Sequence, residues 1–205
     1  MSYITQFYFR DITNLSDARF AAAADAAFVG FSFDPTSVNY VSPSAMMEMR
    51  GWLSGPKITG NFGLIAPDEL NREISAYDLE VVELAFDIYA GYARSIHAET
   101  IMRLKLSALD QAGLRHFDGD YLLLYADQIF PNWTLSCANR QLISLLKDAC
   151  ARCRCIIDIP AEAEQLRQMV QELRPNAVCL HGGSEDRPGI KEFTDMQEKL
   201  DALEA

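Results

Sequence analysis

The first residues of the chain that could do chemistry are a charged pair, Arg10 and Asp11, after the aromatic run F-Y-F (7–9). Aromatic residues favour a strand, so the pair should lie at its carboxyl end. An arginine stays protonated, and a buried charge needs a partner, which Asp11 itself or Glu83 of another strand would supply. Alternatively, the Arg10 guanidinium binds an anionic ligand. The sequence leaves both interpretations open.

A second candidate site is the glycine-rich stretch H-G-G-S-E-D-R-P-G-I-K (181–191) near the end of the chain. The two glycines allow a ligand to approach the backbone closely, and a helix predicted to begin at residue 188 or 189 would add its N-terminus. The alternative is a plain tight turn. We interpret the stretch as a candidate site for a phosphorylated small molecule or another anion. Its first four residues are His181, Gly182, Gly183 and Ser184.

The five cysteines do not suggest a metal site or a redox cofactor. The run C-A-R-C-R-C (150–155) lacks a second pair at zinc-ribbon spacing, and the three histidines are scattered. An odd number of cysteines without a secretion signal favours free thiols. Cys153 and Cys155 should share one face of a strand as small hydrophobic residues. We therefore predict no metal and no cofactor.

Strand-like and helix-like segments alternate along nearly the whole chain, which is typical of a parallel α/β fold. The predicted strands are 7–12, 28–33, 57–63, 79–86, 91–98, 120–126, 153–159 and 176–181. The predicted helices are an alanine-rich one capped by Ser16, one at 45–53 capped by Ser42 or Ser44, one from Pro67, and those at 99–114, 137–151, 161–173 and 188–205.

These elements predict a compact single-domain (β/α)8 TIM barrel over residues 1–205. An open doubly wound sheet is the alternative, but the first strand-to-helix turn lacks G-x-G-x-x-G. Between Phe86 and Gly91 there is no room for a helix, so the fourth helix should be reduced to a turn. Functional groups of such barrels lie at the carboxyl ends of the strands. This rule selects Arg10, Asp11, residues 34–40 with Asn39, Asn61, Glu83, Arg94, Tyr125, Asp127, Asp158 and residues 181–187.

The bulk composition excludes several classes of function. A net charge of −11, from 18 basic and 29 acidic residues, disfavours nucleic-acid binding, which needs a basic face. No stretch reaches the length of a membrane span, and the N-terminus lacks a signal-peptide pattern. We expect a soluble, cytoplasmic protein. Its oligomeric state, monomer or homodimer, stays open.

Four segments in order along the chain resemble the phosphoribosylanthranilate isomerase family. They are I-T-N-L-S-D-A (12–18), A-F-V-G-F-S-F-D-P-T-S-V-N-Y-V-S-P-S-A (27–45), D-Y-L-L-L-Y-A (120–126) and A-V-C-L-H-G-G-S-E-D-R-P-G-I-K-E (177–192). The resemblance implies a TIM barrel with a phosphate loop after the last strand. It also implies an Amadori rearrangement of a phosphoribosyl aminobenzoate in the tryptophan pathway.

The chain departs from the family at the positions that carry this chemistry. The resemblance places Arg10 where the family has its first-strand cysteine, the base, and Tyr125 where it has its sixth-strand aspartate, the acid. Other departures are Asp11 for a glycine, Asn39 for the arginine that holds the substrate carboxylate, Glu83 for a glutamine and Cys179 for an aspartate.

These departures predict a catalytically degenerate relative of the isomerase. A guanidinium cannot abstract a proton at neutral pH, and a phenol is a much weaker acid than a carboxyl group. The alternative is an active or re-purposed isomerase of the tryptophan pathway, in which Asp11 acts as the base and Asp127 as the acid.

Overall fold

The computed structural model describes residues 2–126, 140–181, 185–187, 190–191 and 193–205. Some sequence-based expectations lie outside these residues, namely those on Asp127, Cys137, Gly182, Gly183, Ser184, Pro188 and Gly189.

Eight parallel strands close into a barrel in the order of the sequence, which confirms the predicted fold. The barrel strands are β1 Gln6–Arg10, β2 Phe28–Ser32, β3 Lys57–Asn61, β4 Val81–Ala85, β5 Glu99–Lys105, β6 Tyr121–Tyr125, β7 Arg154–Asp158 and β8 Ala177–His181. The helices are α1 Leu15–Ala23, α2 Pro43–Arg50, α3 Pro67–Tyr77, α4 Phe86–Tyr89, α5 Gln111–Arg115, α6 Arg140–Arg152, α7 Ala163–Leu173 and α8 Thr194–Ala202. A short antiparallel pair, β9 Glu185–Arg187 and β10 Ile190–Lys191, precedes α8.

Strand alternation divides the core into two layers. Successive side chains of a strand point to opposite faces, so a continuous apolar run fills both the barrel and its surroundings. In β6, Leu123 packs inside the barrel, while Leu122 and Leu124 pack toward the helices. The interior layer consists of Tyr8, Phe28, Val81, Ile101, Leu123, Ile156, Ala177 and Cys179. This filled interior leaves the carboxyl ends of the strands as the place for a site.

The helix starts follow local capping chemistry. Asn14, rather than the predicted Ser16, caps α1, because its side chain accepts a hydrogen bond from the Asp17 N–H at 3.0 Å. Ser42 caps α2, as one of the two predicted alternatives. Pro67 begins α3 as predicted. The fourth helix is a single turn, Phe86–Tyr89, which confirms its expected reduction.

The region from residue 91 to 114 differs from the sequence-based expectation. The predicted strand at 91–98 contains only a 3-10 turn, Ala93–Ser95, and the predicted helix at 99–114 begins with strand β5. Within β5, Ile101 packs inside the barrel and Met102 packs outside, which is strand alternation. The apolar spacing over 101–109 imitates a helix because it runs from strand β5 into the 3-10 turn Leu106–Ala108.

The last helix also starts later than predicted. It begins at Thr194, after the β9–β10 pair, and ends at Ala202. None of the helices in the described ranges is long and apolar enough to cross a membrane.

Candidate functional site at the barrel mouth

The carboxyl ends of the strands bring six ionisable side chains together. In the barrel register Arg10 lies beside His181, Asn61 beside Glu83, and Tyr125 beside Asp158. Ion pairs and hydrogen bonds connect the charged groups across the barrel. We call these six residues the mouth cluster: Arg10, Asp11, Glu83, Arg103, Asp158 and His181.

The centre of the mouth cluster is a two-point ion pair between Arg10 and Glu83. The Arg10 Nε and Nη2 atoms donate to Glu83 Oε2 and Oε1 at 2.8 and 2.7 Å. The Glu83 side chain is 1% exposed and that of Arg10 13%. Although burial disfavours its charged form, the Glu83 carboxylate raises the pKa of Arg10 above its ordinary value. Both predicted ion-pair partners of Arg10 are therefore present, Asp11 at 3.5 Å and Glu83 at 2.7 Å, and Glu83 holds it with the fork geometry of a strong pair.

Two neutral donors complete the surroundings of Glu83. Tyr8 Oη donates to Glu83 Oε2 at 2.9 Å, and Asn61 Nδ2 donates to Oε1 at 3.2 Å. Burial, and next the charge of Glu83, raise the pKa of Tyr8 well above its ordinary value, so the phenol remains a donor. A buried carboxylate with four donors from β1 and β3 is a fixed part of the barrel.

Asp11 provides a second acid beside Arg10, from an unusual backbone conformation. Its φ is 59°, in the left-handed region that favours glycine and tolerates aspartate. Its Oδ2 lies 3.5 Å from Arg10 Nη1 and 3.3 Å from His181 Nδ1. Burial would raise the pKa of Asp11, but the hydrogen bond from His181 and the charge of Arg10 lower it below its ordinary value. A carboxylate with a lowered pKa is a weak base.

His181 joins the two remaining acids of the site. Its Nε2 lies 2.7 Å from Asp158 Oδ1, and its outer edge reaches solvent. Partial burial opposes the imidazolium form, yet hydrogen bonds to Asp11 and Asp158 raise the pKa of His181 to about 12. The imidazole is therefore protonated at neutral pH. With this proton, the three cations and three carboxylates of the mouth cluster cancel in formal charge.

Arg103 is the residue of the site that sequence reasoning missed. Its Nη1 lies 3.7 Å from Glu83 Oε1, and its guanidinium stands over the Tyr125 ring at 5.4 Å. The residue was absent from the strand-end selection because its segment was predicted to be helical. Strict alternation after Ile101, which puts Ile101 and Arg103 on the same face, was the signal that could have found it.

Several predicted site residues stand apart from the ion pairs. Asn39 lies in the loop after β2, where its N–H donates to Ser37 Oγ at 3.1 Å. Arg94 lies in the 3-10 turn after α4, on the protein surface. Cys179 is buried inside the barrel beneath His181, and burial first of all raises the pKa of its thiol to about 12.

The C-A-R-C-R-C run lies away from the mouth, at the opposite end of β7. Cys155 is buried between the sheet and the helices, together with part of Cys150 and Cys153. The four described cysteines are free thiols. This packing agrees with their interpretation as small hydrophobic residues.

Gly30 gives the first testable prediction, because it leaves room for Tyr8. A Cβ at this position would lie 2.5 Å from Tyr8 Oη and 2.8 Å from its Cε2. Gly30→Ala should therefore displace the phenol from Glu83 and lower the free energy of unfolding by about 1–3 kcal/mol. Urea denaturation measures the loss. Gly51→Ala is the control, since its nearest contact is at 3.5 Å, and equal stabilities of the two variants would contradict the prediction.

Comparison with known proteins places this site in context. No protein-family model matches the chain. It is 27% identical over 211 residues to the N-(5'-phosphoribosyl)anthranilate isomerase of Syntrophus aciditrophicus (strain SB), covering 98% of the chain and 87% of that protein. The crystal structure of phosphoribosyl anthranilate isomerase from Thermus thermophilus matches with a TM-score of 0.76 at 24% identity, covering 97% and 98% of the two chains.

A further solved phosphoribosyl anthranilate isomerase, with a TM-score of 0.72 at 22% identity, also covers 97% of this chain and 98% of its own. That protein is in complex with reduced 1-(o-carboxyphenylamino)-1-deoxyribulose 5-phosphate. Together these matches confirm the resemblance to the phosphoribosylanthranilate isomerase family and the TIM-barrel fold. At 27% identity the resemblance is a divergent one.

Proposed function

We propose that this chain is a phosphoribosylanthranilate-isomerase-like barrel that has lost the isomerisation and fills the site with its own side chains. The observation that carries the proposal is the buried Arg10–Glu83 pair, at 2.7 and 2.8 Å. Arg10 stands at the position of the family base, and it is held protonated by a carboxylate. General acid–base catalysis typically contributes about 10²–10⁴-fold per group, so loss of the base alone removes a large factor.

The two departures that form this pair depend on each other. A charged residue inside a barrel is costly unless a partner of opposite charge is present. Arg10 replaces a cysteine of the family pattern and Glu83 replaces a glutamine, so the two formal charges enter the barrel together. This correspondence supports a site in which the two substitutions compensate each other in charge, rather than two unrelated substitutions.

The proposal includes a binding site at residues 181–184 for a phosphorylated small molecule or another anion. The support is the glycine pair that follows β8 and the chemistry of backbone N–H groups toward anions. The substrate of the curated relative carries a phosphoribosyl group by its name. Retention of anion binding is compatible with loss of the reaction, because backbone N–H groups that bind an anion need none of the side chains that act as base or acid.

Complementation tests the loss of activity directly. A tryptophan auxotroph that lacks its isomerase should fail to grow when it expresses this chain, and the same strain should grow with the Syntrophus aciditrophicus relative. Purified protein should likewise leave phosphoribosylanthranilate unconverted beyond the uncatalysed rate. Growth of the auxotroph, or turnover by purified protein, would overturn the proposal.

A second candidate function, a re-purposed isomerase, is favoured by the His181–Asp158 contact at 2.7 Å. An imidazolium at a solvent-accessible mouth can stabilise negative charge that develops on a related phosphosugar, whereas its raised pKa makes it a weak proton donor. The ion pairs of Asp11 argue against its expected use as the base. If this candidate is right, His181→Gln should abolish any turnover of aldose phosphates that the purified protein shows.

A further inference from the structure

Two strand ends of the mouth carry three different metal-ligating groups close together. Cys179 and His181 are two residues apart on β8 and thus point to the same side, and Asp158 ends the neighbouring strand β7. One ligand atom from each of these residues lies within 4.8 Å of the other two. In contrast to the sequence-based prediction of no metal, we propose that Asp158, Cys179 and His181 bind a divalent transition-metal ion, of which Zn²⁺ fits the donor set best.

The donor types and their support decide the choice of ion. One imidazole nitrogen, one thiolate sulfur and one carboxylate oxygen are the ligands of Zn²⁺, whereas Mg²⁺ and Ca²⁺ prefer oxygen alone. Three protein ligands leave a fourth tetrahedral position, which is the arrangement of open zinc sites. Because strands of a closed barrel hold the groups, little ordering is needed on binding. The exposed edge of His181, 48% of the side chain, gives the ion access from solvent.

The neighbouring residues already occupy second-sphere positions. His181 Nδ1 faces Asp11 Oδ2 at 3.3 Å, so a carboxylate would orient the ring while Nε2 binds the ion. Asp158 Oδ2 faces Arg10 Nη1 at 3.8 Å, so Oδ1 is the oxygen available to the ion. Such outer partners orient the ligands of zinc sites in other proteins.

Binding of the ion would replace the hydrogen bond between His181 and Asp158. His181 Nε2 and Asp158 Oδ1 are 2.7 Å apart, whereas two ligands at about 2.1 Å from a tetrahedral ion stand about 3.4 Å apart. Binding therefore requires the two ligand atoms to separate by about 0.7 Å. The imidazole proton and the thiol proton leave as the ion enters, and the formal charge of the site stays the same.

Cobalt binding tests this inference, because a thiolate ligand gives Co²⁺ a charge-transfer absorption band in the near ultraviolet. Full-length reduced protein titrated with CoCl2 should form a one-to-one complex with this band, and Zn²⁺ should displace the Co²⁺. Cys179→Ser should abolish the band, and His181→Gln should weaken Co²⁺ binding at least tenfold. Asp11→Asn, which leaves all three ligands in place, should weaken it about 10–100-fold.

Matched controls separate this site from the other thiols and histidines. Cys153→Ser changes a thiol just before β7, at the end of the barrel away from the mouth, and His97→Gln changes an exposed imidazole between α4 and β5. Both variants should leave the band unchanged. Absence of a band in the native protein would overturn the inference, as would a band that survives both Cys179→Ser and His181→Gln. Circular dichroism establishes that each variant is folded. The cobalt titration does not measure isomerase activity. The metal site can therefore be disproved while the proposed loss of activity stands, and the loss of activity can be disproved while the metal site stands.

Discussion

Replacing Glu83 by glutamine should lower the free energy of unfolding by about 3–5 kcal/mol. The change removes the charge that neutralises Arg10 while keeping the shape of the side chain, so it isolates the electrostatic part of the pair. Arg10 would remain 87% buried, since its side chain is 13% exposed. Its two short bonds to a carboxylate would give way to one bond to a neutral amide oxygen, which leaves the longer contacts to Asp11 and Asp158, at 3.5 and 3.8 Å, as its ion pairs. Removal of one partner of a buried pair is costly because the other charge stays uncompensated.

A double-mutant cycle in urea provides the measurement. Arg10→Met together with Glu83→Gln should recover at least half of the loss, because the double variant removes both charges of the buried pair and the mouth cluster stays neutral in formal charge. The control is Glu99→Gln, which breaks the ion pair of Glu99 with Lys57 at 2.7 Å, where both side chains are 37% exposed. That variant should cost at most about 1 kcal/mol. Strictly additive effects of the Arg10 and Glu83 changes would refute the interpretation of the pair.

The barrel could be predicted from the sequence because its signal is strong and local. The apolar run Y-L-L-L-Y is long enough to cover both faces of one parallel strand. Segment β5 was misread because the apolar residues from this segment onward stand at helical spacing: Ile101, Leu104, Leu106 and Leu109. The alternation of Met102, Arg103 and Leu104 competes with this spacing, and the closed barrel, which requires a strand between β4 and β6, decides in favour of the alternation.

The site could be predicted in part, since the strand-end rule selected most residues of the mouth cluster. The pairing of Arg10 with Glu83 followed from charge and from the need for a partner. The contact of His181 with Asp158, in contrast, depends on the register between β7 and β8, and single-sequence patterns do not specify register across a barrel. The left-handed backbone conformation of Asp11 could not be predicted either, because aspartate is common in many backbone conformations.

If loss of the base and the acid explains the lost reaction, restoring the family residues should bring back measurable isomerisation. The proposed variant combines Arg10→Cys, Asp11→Gly, Glu83→Gln, Tyr125→Asp and Asn39→Arg. Turnover of phosphoribosylanthranilate should rise at least about 100-fold above that of the native chain, since one restored acid or base typically contributes that much. Asp11→Gly should be tolerated, because glycine adopts the φ of 59° without strain.

The variant with Arg10→Cys alone is the informative control. In that protein the Glu83 carboxylate would keep only the longer ion pair with Arg103, at 3.7 Å, and would stand beside the introduced thiol. A neighbouring negative charge raises the pKa of a thiol and suppresses its thiolate. The single variant should therefore be both inactive and less stable, whereas adding Glu83→Gln should restore stability. Fluorescence of the substrate follows the reaction, and urea denaturation follows the fold. A stable five-residue variant without turnover would show that charge at the mouth is not what separates this chain from its active relatives.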